Sequence, residues 1–272
     1  MLVVMQFWMK SLIGLIVTIV LMALQAQTPS VAERQAKQEL DEAARLYREG
    51  NFAQAQVHSE WALLLDPQNK TAPYFIARTI HAQYKPGDST AENVAKAREA
   101  IVAYQRILDR VPADEEAYKA VAYLYGAIKE DELLCEWIRK RANDVSFAND
   151  KRADAFVVLA SKEWDCSFKI TELPANKVAT AGRYFSYRMP KARAEFEQAN
   201  GCANRGLELV NMAITLTPEN EAAWSYKTNI LLELAKLAEM SGKVKSKREL
   251  HRQYEEALEV TTQLSKRSQR TP

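Results

Sequence analysis

The chain has 272 residues, with 37 Lys and Arg against 35 Asp and Glu and 47% hydrophobic residues. A net charge of +2 offers no field for holding nucleic acid or steering charged ligands. Eight Gly and nine Pro leave few breakers and suit long helices. There is no GxGxxG, phosphate loop, nucleophile elbow or zinc-type cysteine spacing, so no residue is singled out as catalytic, cofactor-binding or metal-ligating.

In chain order, the first element is apolar. Met1 to Gln25 carries one charge, Lys10, followed by the run Leu12–Leu24. Gln25-Ala26-Gln27-Thr28-Pro29 then supplies a small residue and a helix breaker at a cleavage point. Uncut, the run approaches the ~20 residues that span a bilayer. Residues 1–26 are therefore expected to be a signal peptide or a membrane anchor. Both readings export residues 27–270 to the periplasm or envelope. No cysteine lies near Ala26, so a lipid anchor there is not expected.

A repeated spacing follows. Ala43, Leu46 and Gly50-Asn51-Phe52 read as the end of one helix and a tight turn. Ala55, Ser59, Ala62 and Pro67 come next, then Ala100, Tyr104, Ile107 and Pro112, then Gly206, Val210, Ala213 and Pro218, and last Leu250, Tyr254, Ala257 and Thr262. The first two steps of each set put three side chains on one helix face, and proline stands where that helix stops. Leu134-x3-Ile138-x2-Arg141, ending at Ser146, is a weaker version. From Pro67 to Pro112 is 45 residues, from Pro112 to Ser146 is 34, from Ser146 to Pro218 is 72 and from Pro218 to Thr262 is 44. Small residues on these faces let helices approach, and Tyr104, Tyr118, Tyr125 and Trp224 fill the space left between them.

Between the sets, Tyr118-x2-Val121-Ala122-x2-Tyr125 places a large aromatic, an aliphatic, a small residue and a tyrosine at fixed offsets, and Trp224-x2-Lys227-Thr228-x2-Leu231 follows it more loosely. Asp66-Pro67-Gln68-Asn69 and Thr217-Pro218-Glu219-Asn220 are near copies. On these residues the chain resembles the tetratricopeptide repeat family over about residues 33–265, and within it the exported bacterial members. The resemblance implies an all-α solenoid of antiparallel helix hairpins. It also implies a protein–protein interaction scaffold whose first helices line a groove. On that side fall Lys119, Tyr123, Ser225 and Asn229. The Lys, Asn and Arg set with which some relatives clamp a terminal carboxylate is missing, since Leu40, Ala44, Ala120 and Tyr123 stand in its places.

Residues 172–190 interrupt the helical pattern. Leu173-Pro174 stops a helix begun near Asp150, and Pro190 is expected to open the next. Gly182 and the β-branched and aromatic residues of 177–188 predict an irregular segment or a short β-hairpin. Arg183, Tyr184, Phe185, Tyr187 and Arg188 have the composition of a binding hot spot; alternatively, the aromatics fold back to cover their own surface.

Three cysteines remain, at 135, 166 and 202. An oxidising compartment favours one pair and one leftover. Cys166 and Cys202 flank the irregular segment, and joining them would contribute on the order of 3–4 kcal/mol by loop closure. A pair through Cys135, or three free thiols, are the alternatives, and Cys135 beside Trp137 and Ile138 reads as a buried thiol. His58, His81 and His251 lack i+4 partners and read as surface or groove residues. Lys243–Arg248 reads as a solvated helix start or a contact for anionic lipid or an acidic partner. The functional expectation is a scaffold binding a protein or peptide. The alternatives are a structural subunit of an envelope assembly, or an enzyme if two titratable groups converge in a pocket. No nucleic acid is expected, and contact with membrane is expected through residues 1–26 only.

Overall fold

The structure, a computed structural model, describes residues 29–179 and 185–269; the expected leader or anchor, residues 1–26, lies outside them. The chain divides into two compact units, Met1–Glu130 and Asp131–Pro272.

In the first unit, α1 (Val31–Arg48), α2 (Phe52–Leu65), α3 (Ala72–Gln83), α4 (Ala91–Arg110) and α5 (Glu115–Ala127) follow one another, each packed on the next. Helix α1 opens with a capping box: Ser30 Oγ accepts from the Glu33 N–H, and the Ser30 N–H donates to Glu33. It closes at Gly50, whose φ of 79° is open to glycine at little cost. There the Asn51 N–H reaches Leu46 O (2.9 Å) and the Gly50 N–H reaches Tyr47 O (3.1 Å), the paired bonds that end a helix and turn the chain back. Ala36, Ala62 and Ala72 then meet with no exposed surface, so α1, α2 and α3 approach closely. The connection from α3 to α4 is tied by buried Asn93, which bonds both backbone groups of Lys85 (2.7 and 2.8 Å) and Asp88 O (2.6 Å). That connection and a 20-residue α4 account for the long interval between Pro67 and Pro112.

The connectors share a device. Two residues after each helix-stopping proline, a carboxylate or amide accepts from the start of the next helix. Asn69 takes the Thr71 and Ala72 N–H groups (both 2.9 Å), Asp114 the Ala117 N–H (2.8 Å) and Asn220 the Ala223 N–H (2.9 Å). Proline removes a donor and stops one helix while the side chain at Pro+2 satisfies an orphan donor of the next.

In the second unit, α6 (Asp131–Asn143) is followed by α7 (Asn149–Thr171), a short 3-10 turn (Pro174–Asn176), strands β1 (Lys177–Ala179) and β2 (Phe185–Tyr187), α8 (Arg193–Leu216), α9 (Glu221–Met240) and α10 (Val244–Ser268). The strands pair antiparallel with Lys177 opposite Tyr187 and Ala179 opposite Phe185. Helices of 23 and 24 residues, α7 and α8, with this hairpin between them, fill the long interval from Ser146 to Pro218. Ala160, Ala199, Ala203, Val210, Ile230, Leu234, Leu237 and Met240 form the core where α7, α8 and α9 meet. At Gly206 a Cβ would stand 3.1 Å from Ile230 Cδ1 and 3.3 Å from Glu163 Cβ, so the first position of that repeat set admits no larger residue without a shift.

Each unit is thus a run of antiparallel hairpins of the tetratricopeptide type, all-α apart from the small β-hairpin. Three local expectations change. Helix α8 begins at Arg193, and Pro190 is buried in the extended approach to it. Thr262 lies inside α10 and stops nothing. Cys135 is half-buried, not enclosed.

Candidate functional site

The first unit carries a cleft of about 450 Å³ between first helices of successive hairpins. Ala44 and Ala82 keep it open by their size, and Tyr47, Phe75, His81 and Tyr104 wall it with aromatic surface. Tyr104, from α4, is buried, and burial pushes its phenol up to about 12. Its ring meets His81 edge-on at 5.8 Å, and its OH lies 3.3 Å from His81 Nδ1. Tyr123 of α5 covers the other side of His81, ring centres 5.7 Å apart, yet keeps 51% of its own surface exposed. Desolvation lowers the His81 pKa, which favours its neutral form inside the aromatic stack.

Charge sits on the rim. The Arg78 guanidinium donates twice to Glu116 (2.9 and 2.5 Å), and that contact raises its pKa. The Tyr74 hydroxyl donates to Asp114 (2.5 Å), which pushes Tyr74 up to about 12. These bonds tie α3 to the start of α5. Arg48 is exposed at the end of α1, and Lys119 stands one turn before Tyr123 on α5. Both cations lack an ion-pair partner among the described residues. An aromatic trough with these two cations can take apolar side chains along its floor and carboxylates at its edge.

Of the residues expected on the groove side, Tyr123 joins the aromatic stack and Lys119 shares its helix face. Ser225 and Asn229 lie one turn apart on α9 of the second unit, half-buried. His81, read as a surface or groove residue, holds the centre of the cleft. Tyr47 and Phe75 are not singled out by the sequence, where Tyr104 reads as packing between helices. Tyr104 belongs to a repeat set and Tyr123 to the groove side, but that residues 81, 104 and 123 converge follows only from the order of the hairpins.

The hairpin divides the second predicted cluster. Arg183 and Tyr184 lie outside the described residues. Phe185 is 57% exposed, with Lys177 Nζ 5.4 Å above its ring. Tyr187 turns inward onto the core of its unit. Its OH donates to Glu172 (3.0 Å), its N–H donates to Glu239 (3.3 Å), and Lys236 lies over its ring. Arg188 closes the insertion by donating from Nε to Ala175 O (2.7 Å) and from its N–H to Asn176 O (3.0 Å). So Tyr187 and Arg188 hold the hairpin down, and Phe185 alone of the described three faces outward.

Beneath it lies a charge cluster absent from the sequence reading. Lys236 donates to Glu172 (2.7 Å) and to buried Glu233 (2.5 Å), Thr171 donates to Glu233 (2.6 Å), and Lys177 pairs with Glu172. Burial alone would raise the Glu172 carboxyl, but bonds from Lys177, Lys236 and Tyr187 outweigh it and hold it at about 2. Every charge here is paired within the cluster, which fits a structural anchor. The only signal in sequence is an opposite-charge pair, Glu233 and Lys236, inside the apolar run 230–240.

Cys166 of α7 and Cys202 of α8 are joined, S–S 2.04 Å and Cα–Cα 6.1 Å, across 36 residues. Arg205 sits against the bond, donating to Cys202 Sγ (3.3 Å) and to Glu163 (2.8 Å). Among the described residues no group of His, Cys, Asp or Glu could hold a metal ion, and no helix is long and apolar enough to cross a membrane.

No protein-family model and no curated protein matches the chain. Among solved structures it is similar to MamA protein, at 13% identity over 85% of this chain and 94% of that one, with a TM-score of 0.37. It is also similar to a tetratricopeptide repeat protein from Parabacteroides merdae, at 14% identity over 86% of this chain and 98% of that one, with a TM-score of 0.36.

Proposed function

We propose that the first unit's cleft docks a protein or peptide partner, and that the chain is a non-enzymatic scaffold of the bacterial cell envelope. The observation that carries this reading is the exposed Tyr123 on His81, with Arg48 and Lys119 lacking ion-pair partners among the described residues. Tyr and Arg are favoured where binding energy concentrates, and an aromatic trough with a cationic rim fits a segment bearing an aromatic or aliphatic anchor next to Asp or Glu. The compartment follows from the disulfide, which persists in oxidising surroundings, and from the apolar residues 1–26, which would also supply any membrane attachment. Residues 27–270 act as one repeat domain in this reading, with Phe185 of the hairpin as a secondary contact.

A photo-reactive phenylalanine analogue at position 123, expressed in the native host, tests it. One protein should crosslink through position 123, and the adduct should vanish when Arg48 and Lys119 are both changed to Glu. Crosslinking from position 185 with none from 123 would move the site to the hairpin and end the cleft reading.

A further inference from the structure

Helix α2 is apolar on two opposite faces. Ala55, Ser59 and Ala62 are buried, while Val57, Trp61 and Leu64, at the i, i+4, i+7 spacing of one face, are 49%, 53% and 70% exposed. A contiguous exposed apolar stripe marks a contact surface. The outward face of α10, by contrast, carries Arg248, Glu249, Arg252, Glu255, Glu256 and Glu259, all exposed.

The stripe has a defined place relative to the chain's entry. The Gly50 turn brings α2 back along α1, and Ala62 and Leu65 pack near Ala36, about 8 Å along the helix from Val31. The end of the stripe with Trp61 and Leu64 therefore lies toward the end of the hairpin where α1 begins, whose first residue, Val31, is itself 62% exposed. Six residues, Gln25 to Ser30, separate that start from the apolar run ending at Leu24, and fully extended they reach about 20 Å. Lys37 and Lys70, at the same end, are exposed and lack ion-pair partners among the described residues.

We infer that this stripe lies on a phospholipid bilayer, with residues 1–24 retained as the anchor that holds it there. Trp is favoured at the membrane–water boundary because its ring is apolar and its N–H polar. A helix with such a face settles into the headgroup region when a second attachment supplies local concentration, and the two lysines suit anionic headgroups. The surface is distinct from the cleft, so either reading can fail alone.

Brominated acyl chains quench tryptophans within the lipid boundary. The full chain carrying Trp8→Phe, reconstituted into vesicles of mixed zwitterionic and anionic phospholipid, should show a blue-shifted, bromine-quenched emission component. That component should be lost on adding Trp61→Phe, with helical circular dichroism unchanged as the control for folding. Equal emission in brominated and plain vesicles overturns the proposal. So does a chain that starts near residue 27 when isolated from native membranes. Dimers crosslinked through cysteines placed at 57 or 64, without quenching, would assign the stripe to a second copy and overturn it too.

Discussion

In the first unit the aromatic and cationic side chains face outward: Tyr123 stacks on His81 yet stays half exposed, and Arg48 and Lys119 have no ion-pair partner among the described residues. In the second unit the comparable groups turn inward. Tyr187 lies under Lys236, Lys236 joins Glu172 to Glu233, and a disulfide fastens α7 to α8. Both units use the same hairpins, small residues and proline-ended helices, so the frame does not decide which role a unit takes. What differs is where the polar groups find partners. Groups that satisfy one another stiffen a fold, and groups left to solvent stay available to another molecule.

The sharpest way to break this comparison is to open the inward cluster. Lys236→Met leaves Glu233 buried without its cation and is expected to cost about 3–5 kcal/mol in denaturant unfolding followed by circular dichroism. A change near zero would show that the cluster is not closed. Next, Cys166→Ser with Cys202→Ser should lower stability by about 2–4 kcal/mol, and a reducing agent should lower the parent by a similar amount while leaving the double variant unmoved.

Acid gives a graded test. The folded Glu172 pKa of about 2 lies below its ordinary 4.5. Its contribution is therefore present above about pH 4.5 and lost as pH falls toward 2. Between those values Glu172→Gln should flatten the pH dependence of unfolding, and an unchanged profile would place the titrating group elsewhere. The smallest effect is expected at the connector before α9, where Asn220→Ala removes a helix cap at about 1 kcal/mol without touching the cleft or the cluster.

Much of the frame is legible in the sequence because helix packing is local and periodic. Ala55, Ser59 and Ala62, then Ala100, Tyr104 and Ile107, then Gly206, Val210 and Ala213 are all buried. In the last set only Ala257 is buried, because among the described residues α10 packs mainly on α9 and needs no second apolar face. Cys166 and Cys202 are paired as the spacing predicts, and the interruption near 177–188 forms a hairpin. The site was harder to read. His81, Tyr104 and Tyr123 meet through the order of hairpins and not through any spacing of their own. Glu233 and Lys236 look in sequence like the surface pairs of α10, and only Glu172, on the far side of the hairpin, marks them as buried. Tyr187 packs on the core of its unit while Phe185, at the start of the same short strand, stays 57% exposed, so a cluster read as one surface divides into an anchor and an exposed ring.

The central claim is that the outward-facing cleft binds a partner while the inward-facing hairpin supports the fold. Its most direct test is the affinity of the protein crosslinked through position 123, measured for Tyr123→Ala and for Phe185→Ala. The account predicts a loss of at least about tenfold for Tyr123→Ala, as for a binding hot spot, with unfolding unchanged, and little loss for Phe185→Ala. Full affinity in Tyr123→Ala, with the loss falling on Phe185→Ala, would contradict it.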